Sequence, residues 1–428
     1  MSVAKLSIAF FLQMFVILAA CRLVGWLGRR YLQQPQVVGE MIAGVILGPS
    51  LFGLFLPQLQ QFVFPAQTKG VLYVGAQFGV GLYMFLVGLG FRTEHFKHNL
   101  RPAAAVSICG MAAPFLIAII GTPWLMTLPG LFAADATRFD ATLFMGAAMA
   151  ITAFPMLARI IHERGLSHTS LGTLSLCAGA IDDAAAWCVL AVVLASFGAG
   201  PGVALTAIVG GISFAAFMLL VAPRLLAPLG RMAEREQALD QPMSPTLLSI
   251  ALMLFMMSAY IADVIGLHAV FGGFLLGTVM PRGAFADQLR KLLEPFTVVL
   301  LLPMFFTYSG LNTQLTMVNN VELLLVALAI LVASVLAKFG ACWAAARLSG
   351  QDNRTALGIG ALMNARGLME LIIINIGLQA GVIGPALFSI LVLMAIVTTL
   401  MASPLFELVY GRDARARGDL DALQNPAN

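Results

Sequence analysis

The residues most suited to chemistry in this sequence are two adjacent acids, Asp182 and Asp183, inside a long apolar stretch. They lie in the segment 177–187, Cys-Ala-Gly-Ala-Ile-Asp-Asp-Ala-Ala-Ala-Trp. Neighbours on a helix point about 100° apart, so one carboxylate can face an aqueous cavity while the other faces a basic group. Burial and mutual repulsion both favour the protonated form of a carboxyl group. Such a pair can hold a proton or a cation in turn; the alternative is a purely structural bridge between helices.

Lys338 is the basic residue best placed to pair with one of these aspartates. It lies in the segment 335–342, Val-Leu-Ala-Lys-Phe-Gly-Ala-Cys, many residues from either end of an apolar stretch. An ionised group at the centre of a membrane helix costs about 2.5–3.5 kcal/mol on insertion scales, so we expect a buried ion pair. The alternative is that the long side chain extends to the membrane interface.

A helix break is expected at the segment 152–155, Thr-Ala-Phe-Pro. Pro155 has no N–H and clashes with the carbonyl four residues earlier, so we expect it to free the carbonyl of Ile151. That carbonyl and the Thr152 hydroxyl are oxygen ligands, which hard cations such as sodium prefer. The alternative is a proline kink that has no role in binding an ion.

A second break is expected at the segment 364–367, Asn-Ala-Arg-Gly, where Asn364 is a candidate supporting residue. Arg366 and Glu370 are four residues apart, so they can pair on one helix face or take part in gating; both readings stay open. Glu40 lies in a segment rich in glycine, which permits close helix packing. We interpret Glu40 as structural.

Composition defines the elements that must position these residues. Of the 428 residues, 60% are hydrophobic and only 10% are charged, against about 25% charged in an average soluble domain. Apolar stretches of about 20 residues recur, each long enough to cross a membrane, and backbone groups in lipid must be satisfied within helices. We therefore predict an all-α polytopic membrane protein with about thirteen transmembrane helices, approximately at 7–27, 35–52, 70–90, 102–127, 141–162, 170–197, 203–223, 245–264, 267–281, 294–310, 321–347, 355–379 and 382–408.

The distribution of basic residues orients these helices. Most lysines and arginines fall in every second loop, which predicts an external N-terminus and a cytoplasmic C-terminus. Six helices, a linker and six more place the two halves in opposite orientations, and each expected break falls in the fifth helix of its half. We expect one membrane domain, 1–410, followed by a short cytoplasmic tail, 411–428. Within the domain, repeat one covers about 1–200, the linker helix about 203–223 and repeat two about 245–408.

Several motifs together resemble a known family over nearly the whole chain. They are Gln-Pro-Gln-Val-Val-Gly-Glu through Leu-Gly-Pro at 34–49, Phe-Pro-Met-Leu-Ala-Arg at 154–159, the Ile-Asp-Asp core at 181–183, Lys338 with its nearby glycine, and Asn-Ala-Arg-Gly-Leu-Met-Glu-Leu at 364–371. On these residues the chain resembles the monovalent cation:proton antiporter-2 family. That family includes bacterial sodium/proton antiporters, Kef-type potassium efflux systems and plant cation/proton exchangers.

The resemblance implies a homodimer in the bacterial inner membrane, with a dimerisation domain and a mobile core that moves in an elevator-like step. Two broken helices would cross at the ion site. By resemblance, Asp183 is the main ligand of the monovalent cation and the proton, Asp182 is the partner of Lys338, and Thr152 lies at the first break. Paired aspartates resemble the electrogenic branch, which exchanges two protons per cation. No cofactor and no nucleic-acid partner are expected; the transported species are protons and Na+, Li+ or K+.

One motif departs from the sodium-selective pattern. Those relatives have Pro-Arg-Gly-Glu where this chain has Asn-Ala-Arg-Gly followed later by Glu370, which resembles the potassium-handling and plant branches. The paired aspartates nevertheless favour sodium or lithium, with a potassium-selective or electroneutral Kef-like exchanger as the alternative.

Other function classes make different demands on the residues. A symporter of organic solutes would need a wider polar cavity. An intramembrane aspartyl protease would need aspartates that converge from two helices.

Overall fold

The computed structural model describes residues 3–32, 36–90, 93–134, 136–166, 169–194, 201–266, 269–311, 321–366, 370, 373–374, 377–378 and 381–411. Within these residues the regular elements are helices, and one isolated β-bridge joins Phe132 to Ile383. The predicted all-α class is confirmed.

The helices follow one another along the chain with mostly short connections. They are α1 Val3–Leu32, α2 Gln36–Leu47, α3 Phe52–Phe55, α4 Pro57–Val63, α5 Lys69–Gly90, α6 Thr93–Leu125, α7 Arg138–Ala150, α8 Phe154–Glu163, α9 Ser170–Leu194, α10 Pro201–Leu220, α11 Ala222–Ala238, α12 Pro245–Val264, α13 Ala269–Val279, α14 Ala284–Phe296, α15 Leu302–Leu311, α16 Val321–Leu348, α17 Asn353–Leu362 and α18 Pro385–Phe406. Short π-helical turns, Thr297–Leu301 and Glu407–Gly411, join α14 to α15 and follow α18.

Length and composition identify the helices that can cross a membrane. In the described part of the chain, eight helices qualify, and α10 with α11 forms a ninth if that bent pair is one span. The protein is therefore a multi-pass membrane protein. The expected total of thirteen also counts broken and shorter spans, and it stays a prediction. In the second expected span, 35–52, α2 ends at Leu47 just before Gly48 and Pro49, and the candidate span continues through α3 to Phe55.

Helix packing repeats between the two halves of the chain. Helix α1 packs on α2 as α12 packs on α13, and α5 packs on α13 as α15 packs on α2. Helix α6 packs on α7 and α9 as α16 packs on α17 and α18. This pairwise correspondence supports two six-helix repeats. It also divides most helices into two sets: a scaffold set, α1, α2, α5 and α12–α15, and a crossing set, α6–α9 and α16–α18.

Two matching glycine contacts hold the scaffold set together. A Cβ on Gly44 of α2 would overlap the carbonyl of Phe306 in α15, and a Cβ on Gly310 would overlap Gly44. In the other half, a Cβ on Gly88 of α5 would overlap the carbonyl of Phe274 in α13. These backbones approach as closely as small residues allow, which is how helices associate tightly in a membrane.

Both expected helix breaks are present. Helix α7 ends at Ala150 and α8 begins at Phe154, with extended backbone at Ile151 and Ala153. Pro155 lies in the first turn of α8, where a helix needs no N–H donor. The break therefore falls between the two half-helices as expected, and Pro155 lies at the beginning of the second one. In the second repeat, α17 ends at Leu362 and residues 363–366 are non-helical.

Candidate ion-binding site

The two breaks meet each other in the crossing set. The Ala153 N–H donates to the Ala365 carbonyl at 3.0 Å, which joins the two non-helical segments through their backbones. The Thr152 hydroxyl lies 3.2 Å from the Met363 carbonyl. Helix α9, which contains both aspartates, packs on α6, α7, α8 and α17 and so borders both breaks.

Asp182 is fully buried and fully bonded at this crossing. Its Oδ1 accepts from the Ser107 hydroxyl of α6 at 2.5 Å, and its Oδ2 accepts from the Thr152 hydroxyl at 2.7 Å. The Lys338 ammonium lies 3.1 Å from the same Oδ2. Three donors from three different elements therefore fix one carboxylate, and the charge-assisted bonds among them are the stronger kind.

Lys338 is also fully buried, so its ammonium stays inside the protein and does not extend to the membrane interface. Besides Asp182, it donates to the backbone carbonyl of Ala150, the last residue of α7. The last carbonyls of a helix have no partner within the helix, and a cation near them is favourable. The lysine thus balances the charge of a carboxylate and also satisfies a backbone carbonyl at the end of a helix.

Asp183 has a different environment, although it is the next residue. It is 3% exposed, and its Oδ1 has no hydrogen-bond partner among the residues that the structure describes. It follows Gly179 by one turn, and a Cβ on that glycine would contact Leu157 and Phe154 of α8. Asp183 therefore lies on the α9 face directed toward the start of α8. A buried carboxylate oxygen without a donor is costly unless a proton or a cation satisfies it.

Arg366 is the centre of the second break. Its guanidinium donates to the carbonyls of Ala148 and Met149 at 2.8 and 2.7 Å, and to the Ser334 hydroxyl at 2.5 Å. Together with Lys338, it supplies donors to three consecutive carbonyls at the end of α7. A basic side chain from the second repeat thus caps a half-helix of the first repeat.

Arg366 and Glu370 form the ion pair that their spacing allowed, with Nη1 and Oε1 3.3 Å apart. The other carboxylate oxygen of Glu370 has no partner within the described residues. Asn364 donates to the Gly360 carbonyl at 2.9 Å, and its own amide oxygen is buried without a described donor. The second break therefore places further oxygen acceptors near the crossing.

The remaining candidates lie at the edge of this arrangement. Glu40 is buried at 3% exposure on α2, a scaffold helix that also contacts α8. The carbonyl of Glu40 is 3.9 Å from the Cys21 sulfur of α1, a contact inside the scaffold. Pro155 starts α8, and its side chain lies outside the described part of the chain.

Three hydroxyl residues of the site were missed in the sequence. Ser107 and Ser334 bond Asp182 and Arg366, and Thr399 of α18 accepts from the Arg366 N–H at 3.2 Å. Hydroxyl side chains are common in membrane helices because they also bond their own backbone. Only the charges that they contact distinguish these three, so no sequence signal identified them.

The charge balance of the crossing indicates what it can bind. Among the residues that the structure describes there, the buried charged side chains are three acids, Asp182, Asp183 and Glu370, and two bases, Lys338 and Arg366. Lys338 and Arg366 pair with Asp182 and Glu370, which leaves one negative charge on Asp183. A buried uncompensated charge is unfavourable, so either one proton or one monovalent cation balances the site.

Comparison with known proteins bears directly on this arrangement. Residues 4–409 match the family described as "Sodium/hydrogen exchanger, transmembrane". The chain belongs to the sodium/hydrogen exchanger family. The match extends from the first helix to the π-helical turn after α18, so both breaks and both aspartates lie within it.

Individual relatives of this exchanger differ in the ion that they are named for. The chain is 38% identical over 403 residues to the Na(+)/H(+) antiporter NhaS4 of Synechocystis sp., covering 92% of this chain and 95% of that protein. It is 32% identical to the K(+)/H(+) antiporter 1 of Saccharomyces cerevisiae, covering 98% of this chain but only 48% of that relative. The chain thus spans about half the length of the yeast protein.

A solved structure has a similar fold. The sodium proton antiporter MjNhaP1 from Methanocaldococcus jannaschii aligns with a TM-score of 0.59 over 98% of this chain and 100% of that chain, at 15% sequence identity. At this identity the likeness shows the shared fold alone.

Proposed function

We propose that this exchanger is a secondary active, electrogenic antiporter of a monovalent cation and protons, in which both compete for Asp183 with Asp182 as its coupled neighbour. The observation that supports this most is the single uncompensated negative charge at the crossing of two broken helices. Membership in the family and the cation/proton antiporters among its relatives support the same reaction class.

Competition at one charge provides the exchange. With a proton on Asp183 the buried charges balance; with a monovalent cation and no proton they balance equally. With neither, a negative charge stays uncompensated, and with both, a positive charge is in excess. Because each imbalance is costly in a low-dielectric interior, the site favours the two balanced states, and competition at Asp183 alone exchanges one cation for one proton.

Electrogenic exchange requires a second proton, and the Asp182–Lys338 pair is its proposed carrier. Opening that ion pair lets Asp182 take up a proton or Lys338 release one. One cation exchanged for one proton moves no net charge, whereas two protons for one cation move one. Lys338 therefore sets the coupling ratio in this proposal, and Asp183 sets whether exchange occurs.

Access to the site is proposed to come from the end of α8. An open cavity of about 890 Å³ lies there between α8 and α14, lined by residues that include Arg159, His162 and Asp287. His162 Nε2 contacts Glu294 Oε1 at 3.3 Å, which links the crossing set to the scaffold set. The break is eight residues before His162 along α8, which at 1.5 Å per residue is about 12 Å. We propose that the crossing set moves against the scaffold to alternate access between the two membrane faces.

The remaining features follow from the pattern of charges and from the family resemblance. We propose a homodimer in the bacterial inner membrane, as the family resemblance implies. We also propose an external N-terminus and a cytoplasmic C-terminus, because basic residues are retained on the cytoplasmic side. Sodium or lithium is the proposed cation, and potassium is the alternative. The relatives include one antiporter named for sodium and one named for potassium. Asn364 is the residue whose substitution would test the choice between these cations.

Exchange by reconstituted protein tests the proposal. Proteoliposomes with an imposed pH gradient receive sodium, lithium or potassium, and the collapse of the gradient is followed with the membrane potential clamped and unclamped. Asp183→Asn is expected to reduce exchange by about a hundredfold or more, because the amide cannot carry the competing charge. Asp140→Asn, at the exposed start of α7, is the matched control and is expected to keep full exchange.

Two outcomes would reject specific parts of the proposal. Exchange that survives in Asp183→Asn would remove Asp183 as the shared ligand. Exchange that does not respond to the membrane potential would remove the second proton. Lys338→Gln is expected to shift exchange toward an electroneutral ratio, while Lys5→Gln, an exposed lysine on α1, is expected to leave the ratio unchanged.

A further inference from the structure

Helix α11, which joins the two halves of the chain, has a surface that no other part of the described chain covers. It follows the apolar helix α10 after a 42° bend. Its buried face includes Leu226, Leu229 and Ala233, which pack toward the scaffold helices α12, α13 and α14. The rest of the helix is exposed, and that exposed surface is not uniformly polar.

An apolar stripe runs along the exposed side of α11 and just past its end. Leu225, Met232 and Leu239 repeat every seven residues, which is about two helical turns, so they lie on one line. They are 64%, 40% and 69% exposed. In water such a line of large apolar side chains is unfavourable, which indicates that something apolar covers it.

Three arginines flank this stripe. Arg224 and Arg231 precede Leu225 and Met232 by one residue, and Arg235 lies one turn beyond Arg231. All three are exposed. By helical geometry the arginines lie on the side of the stripe away from the buried face. Around the helix, the order is therefore buried face, exposed apolar stripe and arginine row.

This order is that of a helix lying in a membrane interface, with its apolar side toward the acyl chains and its basic side toward the headgroups. Two further contacts place α11 at the membrane face with the basic loops. It packs against α14, which contains the exposed Lys291. Gly230 of α11 also packs on Pro281, and the next residue, Arg282, donates to the carbonyl of Leu89 at the end of α5.

We propose that α11 binds anionic phospholipid headgroups of the adjacent leaflet through Arg224, Arg231 and Arg235, while Leu225, Met232 and Leu239 enter the acyl region. The bend after α10 turns the chain from crossing the membrane to lying along its surface. Each basic residue near an anionic surface raises affinity by a factor of about five. Three together give a preference for anionic over zwitterionic lipid. This inference is independent of the transport reaction.

Lipid-quenching measurements in nanodiscs test it without any transport assay. The protein is reconstituted in phosphatidylcholine with a fixed fraction of brominated phosphatidylglycerol or brominated phosphatidylcholine. Met232→Trp, or Leu225→Trp as a second variant, supplies the reporter, and the wild-type signal from the native tryptophans is subtracted. Ala227→Trp is the matched control, since Ala227 is exposed on a different face of the same helix.

The expected result is quenching of the tryptophan at 232 or 225 but not at 227, at least twofold stronger with brominated phosphatidylglycerol than with brominated phosphatidylcholine. Combining the reporter with R224Q, R231Q and R235Q is expected to remove this preference. The charge-matched set R29Q, R347Q and R354Q, three exposed arginines on other helices, is expected to keep it.

Three results would overturn the proposal. Quenching at 232 that is no stronger than at 227 would remove the assignment of the stripe to lipid, and a second protein copy over the stripe would give that result. Equal quenching by the two brominated lipids would remove the anionic preference. Loss of preference in the control set as large as in the α11 set would assign it to overall charge instead of to this helix.

Discussion

The two breaks have the same architecture but opposite chemistry. At the first break, between α7 and α8, the Thr152 hydroxyl donates to the Asp182 carboxylate of the neighbouring helix α9, so the charged group there is an acid. At the second break, Arg366 provides a cation, and Thr399 of α18 bonds its backbone where Asp182 of α9 bonds the first break. Helices α9 and α18 are equivalent in the two packing sets. The first repeat therefore supplies the two aspartates, whereas the second supplies both bases together with Glu370.

This division explains why the half-helices can end inside a membrane. The last three carbonyls of α7 have no partner within the helix, and the two bases of the second repeat donate to them. Lys338 of the second repeat also pairs with Asp182 of the first, so the charges of the two repeats depend on each other. Asp183 is the exception, since no residue that the structure describes donates to its Oδ1.

The largest loss of stability is expected at the second break. Arg366→Ala leaves Glu370 charged and buried and opens two carbonyls, so unfolding in detergent is expected to be easier by about 3–5 kcal/mol. Adding Glu370→Gln is expected to restore part of that loss, because the uncompensated charge is gone. Thermal unfolding of both variants measures it, and equal stability of the single and double variants would contradict the pairing.

A slightly smaller loss is expected at the first break. Lys338→Ala removes the charge that balances Asp182, at a cost of about 3 kcal/mol, but Ser107 and Thr152 still bond the carboxylate. The double variant with Asp182→Asn is expected to regain stability relative to Lys338→Ala. If the two substitutions were additive, the ion pair would not be the source of the effect.

Ser107→Ala tests a contact that only the structure identifies. A hydrogen bond to a charged group contributes about 1.5–3 kcal/mol, so this variant is expected to unfold about 2 kcal/mol more easily. Ser349→Ala is the control, because that hydroxyl donates to the Ala345 carbonyl one turn earlier, at the end of α16. Comparable losses in the two variants would show that Asp182 gains nothing from Ser107.

The smallest effect is expected at Thr399, the counterpart of the aspartates in the second repeat. Thr399→Val removes a neutral hydrogen bond to the Arg366 backbone, worth about 1 kcal/mol. Hydrogen exchange of the Arg366 amide is expected to be faster in this variant. Unchanged protection of that amide would mean that Thr399 does not hold the break.

The extent to which the site was predictable follows from how rare each signal is. Asp182, Asp183 and Lys338 were identified because ionised groups are scarce and costly in apolar helices. The all-helical fold and the two breaks followed from composition and from local residue types. Ser107 could not be predicted, since a buried serine has no distinguishing pattern until its partner is known.

Contacts between distant elements could not be predicted from the sequence, for a related reason. The spacing of Arg366 and Glu370 predicted their ion pair, but the bonds from Arg366 to the end of α7 depend on two breaks meeting in space. Pro155 illustrates the converse: its chemistry is local, yet whether it interrupts a helix or begins one depends on where α7 ends. The choice between Asp182 and Asp183 as the lysine partner likewise came from resemblance, not from spacing.

Proton release on cation binding tests the central claim most directly. Sodium, lithium or potassium is added to the purified protein in weakly buffered detergent solution near neutral pH, and the released protons are counted against the protein concentration. The account predicts that a bound cation displaces the proton on Asp183, so wild-type protein releases protons and Asp183→Asn releases none. Cation binding without proton release in the wild type, or the same release in Asp183→Asn, would contradict it.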